Sequence, residues 1–149
     1  MPSSFEPRDP DWEGKVRRSF DLQGVMTLFG ARLGELSPGH VEILAPFDDR
    51  LSQQHGFFHA GITATLADSA CGYSAFTLFP PGTMVLTTEF KINLLAPADG
   101  ELLRASARVI KPGRTLTVAE ADVYVTKGDT QTHCARMLAS VICREGPGL

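Results

Sequence analysis

The chain has no basic block, no long apolar run and only three cysteines, and each lack removes a class of protein. Its 14 Lys and Arg against 17 Asp and Glu give a net charge of −3. Neither nucleic acid nor an anionic membrane is therefore expected as its main partner. No apolar stretch reaches membrane-spanning length, and the opening MPSSFEPRDPDWEGK lacks the apolar core of a signal peptide. Cys71, Cys134 and Cys143 are odd in number and fall inside expected helix or strand, so they read as reduced, buried thiols of a cytoplasmic protein. No G-x-S-x-G elbow and no glycine-rich phosphate loop occurs. His55 and His59 stand four apart, but Gly56 argues against a helix there and no third ligand follows at helical spacing. Neither a metal nor another cofactor is expected.

What is present suits one α+β domain without repeats or low complexity, since 149 residues can bury a core of their own. Residues 1–24 read as an N-terminal segment with a short helix, and residues 25–149 as the main domain. The first ten residues look loose. Asp11 is expected to cap a helix reaching Leu22, with Trp12, Val16 and Phe20 on its apolar stripe and Glu13, Lys15, Arg17 and Arg18 around it. Val25–Leu28 adds a short turn, and Ser37-Pro38-Gly39 joins Leu33–Leu36 to Val41–Phe47 as a hairpin.

The stretch from Gln53 to Phe79 organises the rest. From Gly61 onward its single charged side chain is Asp68, and Ile62, Leu66, Ala70, Tyr73 and Phe76 recur at helical steps. The pattern predicts a buried helix of roughly 18–20 residues, stopped by Pro80-Pro81-Gly82. A carboxylate inside such a helix must be paired, hydrogen-bonded or open to a cleft. Four period-two runs follow. Their expected inward sets are Leu86, Thr88, Phe90 and Ile92; Leu103, Ala105, Ala107 and Val109; Thr117, Ala119, Ala121, Val123 and Val125; and Ala135, Met137, Ala139 and Val141. Lys111-Pro112-Gly113-Arg114 fits a type II turn and Thr126–Asp129 a second turn. The small inward residues leave room for a bulky helix against a curved antiparallel sheet.

Gln53, His59-Ala60-Gly61, Leu66-Ala67-Asp68 and Thr87-Thr88-Glu89-Phe90-Lys91-Ile92-Asn93 with Pro97 together resemble the hotdog-fold thioesterases of the phenylacetic-acid-degradation type. The likeness covers roughly residues 25–143 and departs from the family's HGG motif at Ala60. It implies a single hotdog domain, a sheet wrapped around a long central helix, that hydrolyses an acyl-CoA thioester. In that family Asp68 would be general base or nucleophile, and the thioester carbonyl would sit against the N–H matching Ala60. Gln53 would orient substrate or water, and Thr87, or Thr88 in the other register, would supply a hydroxyl near the carboxylate. Arg114, after Gly113, resembles a recurring Gly-Arg and is the candidate among Arg104, Arg108, Lys111 and Arg114 for coenzyme A phosphates.

The residues themselves support part of this. A helix start at Ala60-Gly61 offers unpaired N–H groups and the positive end of the helix dipole to a developing oxyanion. His59 is expected to hydrogen-bond locally and set that loop. Phe57 and Phe58, with Met84 and Phe90, suit an apolar or aromatic acyl group. Asp68 lies eight residues beyond Ala60, about 12 Å along a helix axis. One carbonyl cannot reach both on one chain, so a site using both would be shared between chains. The resemblance likewise implies a homodimer with two shared sites, alone or as a dimer of dimers. Two other readings stand beside hydrolysis: an acyl-thioester hydratase or dehydratase, for which His59 is the available histidine, and a non-catalytic acyl-CoA binder.

Overall fold

The computed structural model describes residues 5–147, so part of the expected loose start, 1–4, lies outside the described residues. In chain order the elements are α1 (Trp12–Leu22), α2 (Gly24–Leu28), β1 (Arg32–Ser37), β2 (His40–Pro46) and a single 3-10 turn (Asp49–Leu51). Then come α3 (Ala60–Phe76), β3 (Thr83–Leu94), β4 (Leu102–Lys111), β5 (Leu116–Lys127) and β6 (Thr130–Glu145). The strands form one antiparallel sheet in the order β1-β2-β4-β5-β6-β3. This is the expected hotdog architecture, with α3 as the wrapped helix.

The inward faces of β4, β5 and β6 are those the alternation predicts, and every residue in them is buried. Six of those positions are alanine, Ala105, Ala107, Ala119, Ala121, Ala135 and Ala139. Their short side chains let α3 lie close, so Leu66, Ala67, Ala70 and Phe76 join the same core. Val16 and Phe20 of α1 enter that core as well.

Several expectations need correction. The central helix has 17 residues and is buried from Ala70 onward, but Ala60 and Gly61 are exposed and Asp68 and Ser69 half-buried. The inward set of β3 is wrong in its first half. Thr87 pairs with Val141, Glu89 with Ser140 and Phe90 with Ala139, so a bulge at Thr88 shifts the alternation. Val85 and Thr87, rather than Leu86 and Thr88, therefore share the inward side with Phe90 and Ile92.

The turn at Lys111–Arg114 is not type II, because Gly113 has no positive φ. Glycine is needed there for close approach: a Cβ would lie 2.0 Å from the Leu116 carbonyl oxygen. Asp11 does not cap α1 with its side chain; it pairs with Arg18 at 2.7 Å, while Asp9 accepts from the Asp11 N–H at 2.8 Å.

Lys15, expected among solvated charges, is buried. Its Nζ donates to the Phe79 carbonyl at 2.5 Å, lies 3.4 Å from Asp9 and sits 4.6 Å from the centre of the Phe76 ring. Burial pushes its ammonium below the usual lysine range, opposed by Asp9. Arg8 donates to the Leu78 carbonyl at 3.1 Å, and the Phe5 ring lies against Gly39. Residues 5–10 are thus strapped over the C-terminal end of α3, not loose.

Candidate active site

The loop before α3 is closed on itself. The Gln53 N–H donates to Phe57 O at 2.9 Å and Gly56 N–H to Gln53 O at 3.0 Å. Gly56 takes φ of 82°, a left-handed conformation that suits glycine. The Gln53 side-chain oxygen accepts from the N–H of His55 at 2.5 Å and of Phe57 at 3.3 Å. Its amide nitrogen has no partner among the described residues.

His59 is the N-cap of α3, and its Nδ1 accepts from the Gly61 N–H at 2.8 Å. That contact assigns the ring proton to Nε2 and realises the local role expected of His59. It also separates two residues that the sequence groups together. The Gly61 N–H is occupied, whereas the Ala60 N–H has no partner among the described residues. The orphan donor at this helix start is therefore Ala60 N–H. It opens on a cleft of about 600 Å³ lined by Gln53, Phe57, Ala60, Leu94, Pro97 and Cys134 among others. Phe57 is half-buried on that wall, whereas Phe58 is only 3% exposed and packs edge-on to Phe47 at 5.3 Å.

Asp68 faces a different cleft, of about 200 Å³, lined by Ser19, Gln23, Asp68, Ser69, Gly72, Tyr73, Val85 and Thr87. Thr87 Oγ1 donates to Asp68 Oδ1 at 2.7 Å, and the other carboxylate oxygen has no hydrogen bond among the described residues. Thr88 points the other way across the bulge and donates to Ser140 O at 3.0 Å. The two clefts share no lining residue. On α3 their polar groups stand about 12 Å apart along the axis, too far for one bound carbonyl to meet both on a single chain.

Arg114 belongs to neither cleft. It lines a third hollow with Phe5, Arg8, Leu78, Phe79 and Pro112 among others, near the C-terminal end of α3. Sequence reasoning missed Ser19, Gln23, Ser69 and Tyr73 as walls of the Asp68 cleft. Tyr73 counted only as one of the helix's apolar positions, and no local pattern marks Gln23.

The three thiols are free. Burial pushes Cys71 far above the usual thiol range and Cys134 up to about 11, so neither is a thiolate at neutral pH. Among the described residues no group of acids, histidines and cysteines could hold a metal, and no helix is long and apolar enough to cross a membrane.

A curved antiparallel sheet around one long central helix defines a hotdog-fold protein. Residues 55–132 match the Thioesterase superfamily, and the chain belongs to that family. A putative esterase of Halobacterium salinarum is 33% identical over 120 residues, which is 77% of this chain and 78% of that protein. The crystal structure of a thioesterase family protein from Silicibacter pomeroyi is 50% identical, with a TM-score of 0.89 over 91% of this chain and 99% of that one. The E. coli PaaI protein from the phenylacetic acid degradation operon shares the fold, with a TM-score of 0.82 at 16% identity, over 93% and 97% of the two chains.

Proposed function

We propose that the protein hydrolyses an acyl-CoA thioester to the free acid and coenzyme A, at sites each built from two copies of the chain. The observation that carries this reading is Asp68: a carboxylate in the middle of the central helix, with one oxygen held by Thr87 and the other free on a cleft. In the general-base form of the reaction Asp68 takes a proton from water as the water oxygen bonds to the thioester carbon. The Ala60 N–H of the second chain stabilises the negative carbonyl oxygen, helped by the free amide of Gln53. The carbon–sulfur bond then breaks, and the thiolate of coenzyme A takes up the proton. Attack by Asp68 itself, through an anhydride that water opens, uses the same groups.

The edge position of β3 supports a shared site. Its outer edge has no partner strand among the described residues, and Leu86 and Phe90 are 45% and 46% exposed. Pairing two such edges about a two-fold axis would bring the Asp68 cleft of one chain toward the Ala60 cleft of the other. A hydratase or dehydratase fits less well, because His59 Nδ1 is committed to the Gly61 N–H.

The reading is tested by following thiol release from a panel of acyl-CoA esters. The wild type should release thiol, and Asp68→Asn should fold but turn over at least about a hundredfold more slowly. Turnover by Asp68→Asn close to wild type would remove Asp68 from the chemistry.

A further inference from the structure

The Asp68 cleft continues along α3 beyond the carboxylate, and its far end is polar although it backs onto the core. Ser69 Oγ donates to Gln23 Oε1 at 2.8 Å, and Gln23 Nε2 donates to Tyr73 Oη at 2.9 Å. Ser19 Oγ and Tyr73 Oη share a hydrogen bond of 3.2 Å. Ser19 belongs to α1 and Gln23 to the joint between α1 and α2, both outside the residues 55–132 that define the family match. Tyr73 is 4% exposed and held from behind by Phe20 and Phe76, with ring centres 6.1 and 6.5 Å away.

The relay has more donors than it uses. A serine or tyrosine hydroxyl carries one hydrogen and a glutamine amide two. Ser69 spends its hydrogen on Gln23, and Gln23 spends one of its two on Tyr73. Ser19 and Tyr73 share one bond, so whichever of them donates, the other keeps its hydrogen. That hydroxyl hydrogen and the second amide hydrogen of Gln23 have no acceptor among the described residues. Burial also pushes the Tyr73 phenol up, which keeps it a neutral donor. Leaving such donors unanswered around a ligand is costly, so the fitting ligand brings an acceptor.

We infer that Ser19, Gln23 and Tyr73 form the specificity end of the acyl pocket and select a short acyl group carrying a neutral oxygen acceptor, a ketone or hydroxyl, away from the thioester. The inference rests on the thioesterase reading and deepens it. A cleft of about 200 Å³ suits a ring or a short chain, given that a cavity of about 150 Å³ holds benzene. Tyr73 lies five residues past Asp68, about 7–8 Å along the axis, which is the reach of a short acyl group. A distal carboxylate is disfavoured, because it would share the cleft with the like charge of Asp68.

The test measures kcat/KM for matched esters: pentanoyl-CoA against levulinoyl-CoA, and benzoyl-CoA against para-hydroxybenzoyl-CoA, with succinyl-CoA as the charged arm. The wild type should favour the oxygenated member of a pair by roughly tenfold and disfavour succinyl-CoA. In Tyr73→Phe, which keeps the ring packing, and in Gln23→Met, that preference should fall toward unity. A wild type without the preference overturns the inference, and so do variants in which both members of a pair fall equally. Hydrolysis without selectivity sinks this inference alone; thiol release from none of the esters sinks the thioesterase reading, and this inference with it.

Discussion

Thr87 Oγ1 lies 2.7 Å from Asp68 Oδ1, tying the edge strand to the middle of the central helix. The contact depends on the bulge at Thr88, which turns Thr87 inward and leaves Thr88 bonded to a backbone carbonyl. Two adjacent threonines therefore have opposite fates. A hydroxyl that donates to one carboxylate oxygen favours one rotamer and leaves the other oxygen free toward the cleft.

Thr87→Ala should lower kcat/KM for an acyl-CoA ester by about 10–100-fold, the worth of a hydrogen bond to a charged group. Thr87→Ser should recover most of the loss, and Thr88→Ala should cost less than Thr87→Ala. Equal losses in the two alanine variants would mean that the carboxylate contact has no special part in turnover.

Lys15 anchors the N-terminal segment to the end of α3 through the Phe79 carbonyl. Lys15→Met keeps the apolar stem but leaves that carbonyl without its donor, and should cost about 1–3 kcal/mol in urea unfolding. A variant as stable as the wild type would show that the anchor contributes nothing net, as some buried charges do not.

The thiols give a separate check. With Cys71 pushed far up and Cys134 up to about 11, the native protein at neutral pH should react with a thiol reagent at Cys143 at most, and at all three positions in denaturant. Fast native reaction at Cys71 or Cys134, located by mass spectrometry, would contradict the burial seen for them.

Much of this molecule follows from short-range pattern. The inward faces of β4, β5 and β6 are visible as alternation because those strands bury every second residue through most of their length. Asp68 stands out as the one charge in an apolar helix. The phase of β3 does not follow, because its bulge is set by pairing with β6 and leaves no residue signal of its own. Lys15 reads as solvated because its partner, Phe79 O, lies 64 residues away. Gln23 meets Ser69 and Tyr73 across 46 and 50 residues, a contact no window along the chain contains. The helix start reads as two equivalent N–H donors, and it takes the His59 cap to show that Gly61 is spoken for and Ala60 is not.

In the proposed enzyme each site joins the Asp68 half of one chain to the Ala60 half of another. Ala60 is the first residue of α3 and follows an extended His59, with φ of −63° and ψ of 141°. Proline is well tolerated at such a position, so Ala60→Pro removes the N–H with little cost to the helix. Its homodimers should lose about 10²–10³ in rate, and Asp68→Asn homodimers should be similarly inactive. Mixing the two lets one site of each mixed dimer collect both lesions while the other collects neither. Random exchange makes about half of the dimers mixed, so activity should rise to roughly a quarter of wild type. Mixed dimers verified by native mass spectrometry, yet with no recovered thiol release, would contradict the shared site and put the whole reaction within one chain.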